Sequence, residues 1–362
     1  MLALTVLRSQ ACRKGEHMFT TINPGFFTTI QDNGRWGYQA YGMPVAGAMD
    51  RYAYRVANLL VGNKAGAAVI EMTILGATFK FDESQLVAIC GADMQAKLDG
   101  VGVNNWSSFV VRKGSELKFE YAVTGCRAYL AVRGGIDVPS VLGSRSTYTR
   151  AKIGGLEGRA LRQGDVLNIA QDIEDIENGI QTRVLEAQYI PCYDQNISLR
   201  VLLGPQADMF TAEAITTFLN NEYVITDEAD RMGYRLVGPK ITHVNKADIV
   251  SDALPFGAIQ VPAHGMPIIM MADRQTTGGY AKIGTVISPD LSKLAQAKPG
   301  DLVHFSLCSE NEAIDAFKEE QQRYTDIVRS FHDQKNSSGL VRHFSIVVNQ
   351  QAYKVQVEEY IS

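Results

Sequence analysis

The pattern of the chain is that of a mainly β protein with some helix: two β-built lobes followed by a C-terminal helix and hairpin. Short alternating segments separated by turn residues fill residues 18–308, which is a strand period rather than a helical one. Residues 112–119 (RKGSELKF), 162–169 (RQGDVLNI) and 298–305 (KPGDLVHF) repeat one local design, a Gly-Asp or Gly-Ser turn feeding a strand. A length of 362 residues allows about two domains.

Taken in order, residues 1–17 lack pattern, carry Arg13 and Lys14, and precede Met18, a plausible start. They are expected to be a disordered or non-native extension. The N-terminal lobe is expected over 18–190. Within it, Tyr54, Ala57, Leu60 and Val61 fall at helical spacing behind Asp50, which suits an N-cap. Residues 172–190 are polar and acidic and read as the connection between lobes, so the boundary falls at 190/191. The second lobe is expected over 191–308, with a helix behind Thr211 that uses Ala214, Ile215 and Phe218. A tail over 309–362 holds the strongest helical pattern. Ile314, Phe317, Tyr324, Ile327, Val328 and Phe331 share one side of it. The breaker KNSSG follows, and then two alternating strands around residues 349–351.

Composition excludes several functions. With 35 Lys and Arg against 39 Asp and Glu the net charge is -4, which gathers neither nucleic acid nor anionic lipid. No run of about 18 apolar residues exists to span a bilayer, and the apolar start from Leu2 to Leu7 is too short for a signal peptide. A cytoplasmic protein is expected. Five Cys, none in a C-x-x-C pair, and six widely spaced His give no disulfide framework and no metal-ligand spacing. P-loop, dinucleotide and nucleophile-elbow motifs are absent from the sequence.

Chemistry concentrates in ADRQTTGGYAK (272–282), after an apolar strand. Asp273 is a candidate base or an orienting group for Arg274, and Arg274 a bidentate holder of a carboxylate or oxyanion. Gln275 and Lys282 complete the catalytic set, with Thr276 and Thr277 as substrate-binding hydroxyls beside two glycines. The competing reading is a Gly-rich turn in which Asp273 and Arg274 pair with each other. Gln260, inside the apolar AIQVP, must find partners in the protein or in an amide substrate. TTIQDNGRWGY (28–38) has a similar composition, adding Gln31, Asp32 and Arg35 as binding candidates, and DRMGYR (230–235) adds Arg231. Two such clusters suggest duplicated lobes with a cleft between them.

These segments, with GMPVAGAMD, ANLLVGN, YLAVRGGIDVPSVLGSRST and GGLEGRALRQGD, appear in order over about residues 19–308 and resemble the biotin-dependent carboxyltransferase-like family. That family includes the C-subunit of bacterial 5-oxoprolinase, the carboxyltransferase domain of urea carboxylase (also called allophanate hydrolase subunit 2) and an antikinase-associated protein. Ala77 after Gly76, where Pro is common, and Ala46, where Ser is common, are small departures.

The resemblance implies cyclophilin-like β-barrel lobes, a companion B-subunit and, for an oxoprolinase, an A-subunit. It implies ATP-dependent opening of 5-oxoproline to glutamate by the complex, with ATP handled by the partners and this chain inactive alone. The alternatives it carries are biotin-dependent carboxyl transfer to urea or a related amide, and non-enzymatic binding of a kinase-inhibitor-like B-subunit. FSIVVNQQAYKVQVEE (344–359) resembles the opening strands of biotin-carrier domains. No Met-Lys-Met occurs in the sequence, so any biotin must arrive on another protein.

Overall fold

In the computed structural model, residues 18–170, 181–337, 342–348 and 351–357 are described. The expected extension 1–17 and residues 171–180 of the expected connection lie outside them, as do residues 349–350 of the hairpin turn.

The first lobe is two sheets across one core. A seven-stranded sheet runs Ile136–Asp137, Val166–Ile169, Met18–Asn23, Thr78–Phe81, Glu116–Lys118, Lys97–Leu98, Val101–Gly102. A five-stranded sheet runs Phe27–Gln31, Val69–Thr73, Thr124–Val132, Gln85–Asp93, Ser107–Val111. Phe19, Phe79, Phe81 and Leu117 from the first meet Ile70, Met72, Val87, Ile89 and Leu130 from the second. The second lobe is a closed barrel of Asn196–Leu203, Lys282–Val286, Ala258–Gln260, Ile268–Met270, Gly233–Val237, Glu222–Ile225 and Leu302–Leu307. Its first and last strands pair in parallel.

The three repeated turn segments adopt the same bend. Ser115, Asp165 and Asp301 donate their N–H to the carbonyls of Arg112, Arg162 and Lys298. Gly114, Gly164 and Gly300 stand third in those turns at φ +85°, +86° and +90°, the left-handed setting of a type II turn.

Both expected short helices form. Helix α1 (Arg51–Leu60) is capped by Asp50, which accepts from the Ala53 N–H at 2.9 Å. Helix α2 (Ala212–Asn220) is capped by Thr211, which accepts from the Ala214 N–H at 3.0 Å. Helix α3 (Ser288–Ala295) has no counterpart among the expected elements, because eight residues with Pro289 in the first turn and only two leucines carry little periodicity. Helix α4 (Glu310–Ser337) opens on a capping box. Ser309 Oγ accepts from the Glu312 N–H at 3.3 Å, and the Glu312 carboxylate accepts from the Ser309 N–H at 2.7 Å. Arg342–Val348 and Gln351–Val357 then pair antiparallel.

The outer face of the five-stranded sheet is apolar at Val69, Leu86, Ala88 and Ala131, and α1 covers it with Ala53, Val56, Ala57 and Leu60. Tyr324, Ile327 and Phe331 of α4 join that layer. The expected apolar side of α4 is therefore only half used, since Ile314, Phe317 and Val328 stay exposed. Phe317 and Val328 instead face an open cleft.

The turn geometry gives a first test. Alanine at Gly114, Gly164 or Gly300 meets no neighbouring atom within 4 Å, so only the left-handed backbone resists it. Each substitution should lower stability by ~1 kcal/mol in urea denaturation. An unchanged midpoint for all three would contradict the shared turn type.

Candidate functional site: the seam between the lobes

Opposite residues of adjacent antiparallel strands share a face, and Glu71 lies directly opposite Tyr129, with Thr73 opposite Arg127. Glu71, Tyr129 and Arg127 thus emerge together on the outer face of the five-stranded sheet, where the barrel meets it. From the barrel side comes Arg231. The Asp230 carboxylate accepts from the Met232 and Gly233 N–H groups at 2.7 and 3.1 Å and fixes the turn that carries it.

Arg231 is 7% exposed and uses its whole guanidinium. Nε and Nη2 donate to the two oxygens of Asp273 at 3.0 and 2.9 Å, Nη1 donates to Glu71, and Nη2 also reaches the Gly47 carbonyl at 2.7 Å. Burial opposes the charge of Arg231, but the Asp273 and Glu71 carboxylates more than reverse this and hold it above the ordinary range. Burial pushes the Asp273 carboxyl upward against the pull of Arg231.

The network extends across the seam. Glu71 Oε2 accepts from the Tyr129 hydroxyl at 2.8 Å and from the Met49 N–H at 2.9 Å. The Tyr129 oxygen accepts from the Asp50 N–H at 2.7 Å. Gln296, at the end of α3, donates to Asp50 Oδ2 at 2.7 Å and to the Arg127 carbonyl at 2.9 Å, and accepts from the N–H groups of Cys126 and Arg127. Every hydrogen-bonding site of that amide is filled. Arg127 Nη1 donates to the Tyr234 hydroxyl and the Ala295 carbonyl, both at 2.6 Å.

Beside the seam opens a cleft of about 850 Å³. Its walls are α1 (Arg51, Tyr54, Arg55, Asn58), the loop bearing Trp36, the barrel loop bearing Phe256, α3 (Ser288, Leu291, Ser292) and α4 (Phe317, Glu320, Tyr324). Arg51 lies over the rings of Trp36 and Phe256 at 5.3 and 5.0 Å, and Arg55 over Tyr324 at 3.7 Å.

The sequence-derived candidates divide into three places. Arg231 and Asp273 meet directly at the seam. Arg274 does not pair with Asp273; its Nε and Nη1 donate to the Leu254 and Met271 carbonyls at 2.8 and 3.2 Å, and its guanidinium sits 5.5 Å from the Phe256 ring. Burial first, and the nearby Arg51 charge second, lower its pKa to about 10.

Lys282 and Gln260 belong to the barrel strands. Lys282 is 3% exposed, and its Nζ is held by the Asp252 carboxylate and the Ala253 carbonyl. Gln260 donates to the Tyr280 carbonyl at 3.2 Å, and a Cβ on Gly278 would stand 2.6 Å from its Nε2. That close approach explains one of the two glycines. Gln275 and Thr276 are half-buried and Thr277 is exposed.

Gln31, Asp32 and Arg35 organise the first lobe's own loop. Asp32 accepts from the Gly34 N–H, the Ser144 and Ser146 hydroxyls and the Arg145 N–H. Arg35 donates to the Val141 and Ser146 carbonyls, and Gln31 to Thr29 and the Thr147 carbonyl. Of these, Arg35 is near enough to feel the Asp273 charge.

Glu71, Tyr129, Arg127 and Gln296 do not stand out in the sequence. A lone Glu between apolar neighbours in AAVIEMTIL is the available signal, since a buried carboxylate needs a partner. Arg51 and Arg55, one turn apart on α1, are likewise inconspicuous there.

Asp50 supplies a pH test. Its carboxyl is raised by burial, against the bonds from Gln296 and Ala53. A raised folded pKa means its contribution is full below about pH 4, the unfolded value, and fades as pH rises through the folded value. Asp50→Asn keeps the cap without the charge, so its stability deficit should be largest near pH 4 and shrink toward pH 8 in denaturant melts. A deficit that grows with pH would contradict this.

Comparison with known proteins agrees with this architecture. The family described as "Carboxyltransferase domain, subdomain A and B" matches residues 41–307. The 5-oxoprolinase C-subunit of Escherichia coli is 39% identical over 307 residues, covering 85% of this chain and 96% of that protein. Urea amidolyase of Saccharomyces cerevisiae is 35% identical over 299 residues, covering 78% of this chain but 16% of that much longer protein. The crystal structure of the Kluyveromyces lactis urea carboxylase superposes with a TM-score of 0.81 at 27% identity, covering 95% of this chain and 32% of that one. With a matched region running through both lobes and their seam, the chain belongs to the carboxyltransferase subdomain A and B family.

Proposed function

We propose that this chain is the C component of a 5-oxoprolinase, acting with partner subunits in the cytoplasm to open 5-oxoproline to glutamate at the expense of ATP. The observation that carries this reading is the near end-to-end correspondence with a free-standing protein of that name, 96% of whose length the chain spans at 39% identity. The relatives named for urea amidolyase are far longer proteins, of which the chain spans 16–17%.

The chemistry asks for three things in one place. The lactam is a stable amide, so its carbonyl must be activated, its ring nitrogen must be managed as a leaving group, and its carboxylate must be held. The cleft beside the seam offers cations and one carboxylate, Glu320, on walls drawn from both lobes and α4. Arg231 lies too deeply enclosed by Asp273, Glu71 and Gly47 to take a ligand without losing them, so we assign it a positioning role. ATP is assigned to the partners, and no cofactor to this chain.

The test is reconstitution. Co-purified with its A- and B-subunits, the chain should support glutamate release that requires both ATP and 5-oxoproline and falls to background when the chain is left out. Full activity without it, or none with all components present, would sink the reading. Transfer of carboxyl from carboxybiotin to urea in that second case would establish the alternative.

A further inference from the structure

We propose that the cleft is a carboxylate subsite, in which Arg51 and Arg55 hold the anion of a small ligand and Glu320 receives an N–H next to it. The site itself stands on the geometry below, while naming the ligand as a lactam acid rests on the 5-oxoprolinase reading.

Arg51 and Arg55 are four residues apart on α1 and so project from one face about 6 Å apart. Both line the cleft. Among the described residues neither makes an ion pair, and both are held by rings instead: Arg51 by Trp36 and Phe256, Arg55 by Tyr324. A guanidinium supported through its face by a ring keeps its in-plane N–H donors free, the edge that grips a carboxylate with two parallel hydrogen bonds. Burial lowers the pKa of Arg51, against the opposing pull of the Glu320 carboxylate. Arg274, at the same Phe256 ring, adds a further positive charge.

Opposite stands Glu320 on α4. It feels Arg55, Arg323 and Arg51, yet burial still raises its carboxyl above the ordinary range. Cations therefore outnumber carboxylates around the cavity, and the surplus calls for an anion. Glu320, the one carboxylate among the lining residues, selects for a ligand with a donor close to that anion. In 5-oxoproline the carboxylate sits on the carbon that bears the ring N–H, which is this arrangement. The volume of about 850 Å³ is in the range of small-ligand pockets.

The experiment is calorimetric titration of the full chain, alone and in the reconstituted complex, with 5-oxoproline, 2-pyrrolidinone (the same ring without the carboxylate) and inorganic phosphate. 5-Oxoproline should bind at least tenfold more tightly than either probe. Arg51→Gln and Arg55→Gln should each weaken it at least tenfold and leave 2-pyrrolidinone within twofold, with Arg51→Lys recovering part of the loss. Glu320→Gln should weaken both lactams and not phosphate.

The subsite is overturned if both Arg variants, shown folded by circular dichroism, bind 5-oxoproline within twofold of the native chain. It is also overturned if phosphate binds as tightly as the lactam acid, or if no probe binds. Arg51-dependent binding in a complex without turnover overturns the 5-oxoprolinase reading and keeps the subsite. Turnover with an unchanged KM in Arg51→Gln does the reverse.

Discussion

One buried cation between two carboxylates fixes how the halves of this protein meet. Arg231 leaves the barrel at the end of a turn, takes Asp273 from its own lobe in a bidentate pair, and reaches Glu71 on the sheet of the other lobe. Ionised groups taken from water cost several kcal/mol each, and only full hydrogen bonding offsets that. The rest of the seam reads as the provision of those bonds: Tyr129 and the Met49 N–H on Glu71, the Gly47 carbonyl on Arg231, and the Arg231 carbonyl accepting from the Asp273 N–H. Gln296 and Asp50 then tie α3 to the start of α1, so the seam sets where α1 points.

That placement is what makes the cleft. Because Asp50 is both the cap of α1 and the acceptor for Gln296, the first turn of α1 is held against α3. Arg51 follows at once and faces the open space the two helices leave. Helix α4, beyond the residues matched by the family, closes the far side by packing Tyr324 on Tyr52 at 5.4 Å between ring centres and seating Ile327 and Phe331 beneath α1. Phe317 and Val328, from the exposed half of its apolar stripe, line the cavity.

Much of this is legible in the chain. The Gly-turn repeats, the Asp50 and Thr211 caps and the α4 periodicity are local signals and correspond to what forms. The polar clusters in both halves point to chemistry between lobes, and Arg231 and Asp273 do meet there. Partner choice is not legible. Asp273 is adjacent in sequence to Arg274, yet pairs with a residue 42 positions away, because the turn after Ile268–Met270 hands Asp273 to Arg231 while Arg274 is taken up by the Leu254 and Met271 carbonyls. Asp32 looks like a ligand-binding group in TTIQDNGRWGY but is consumed by donors more than 110 positions downstream. Glu71 and Arg51 give weak local signals, since their importance comes from what the topology brings opposite them.

The central claim is that Glu71 and Arg231 act as one unit joining the lobes, and a double-mutant cycle tests it most directly. Glu71→Gln, Arg231→Met and the double variant would be compared by denaturant unfolding. Arg231→Met should cost about 3–5 kcal/mol, because it strands the buried Asp273 and Glu71 carboxylates, and Glu71→Gln should cost less, because Arg231 keeps its bidentate pair with Asp273. The double variant should cost less than the sum by about 2 kcal/mol or more. Costs that add within about 0.5 kcal/mol, the behaviour of independent sites, would contradict the account.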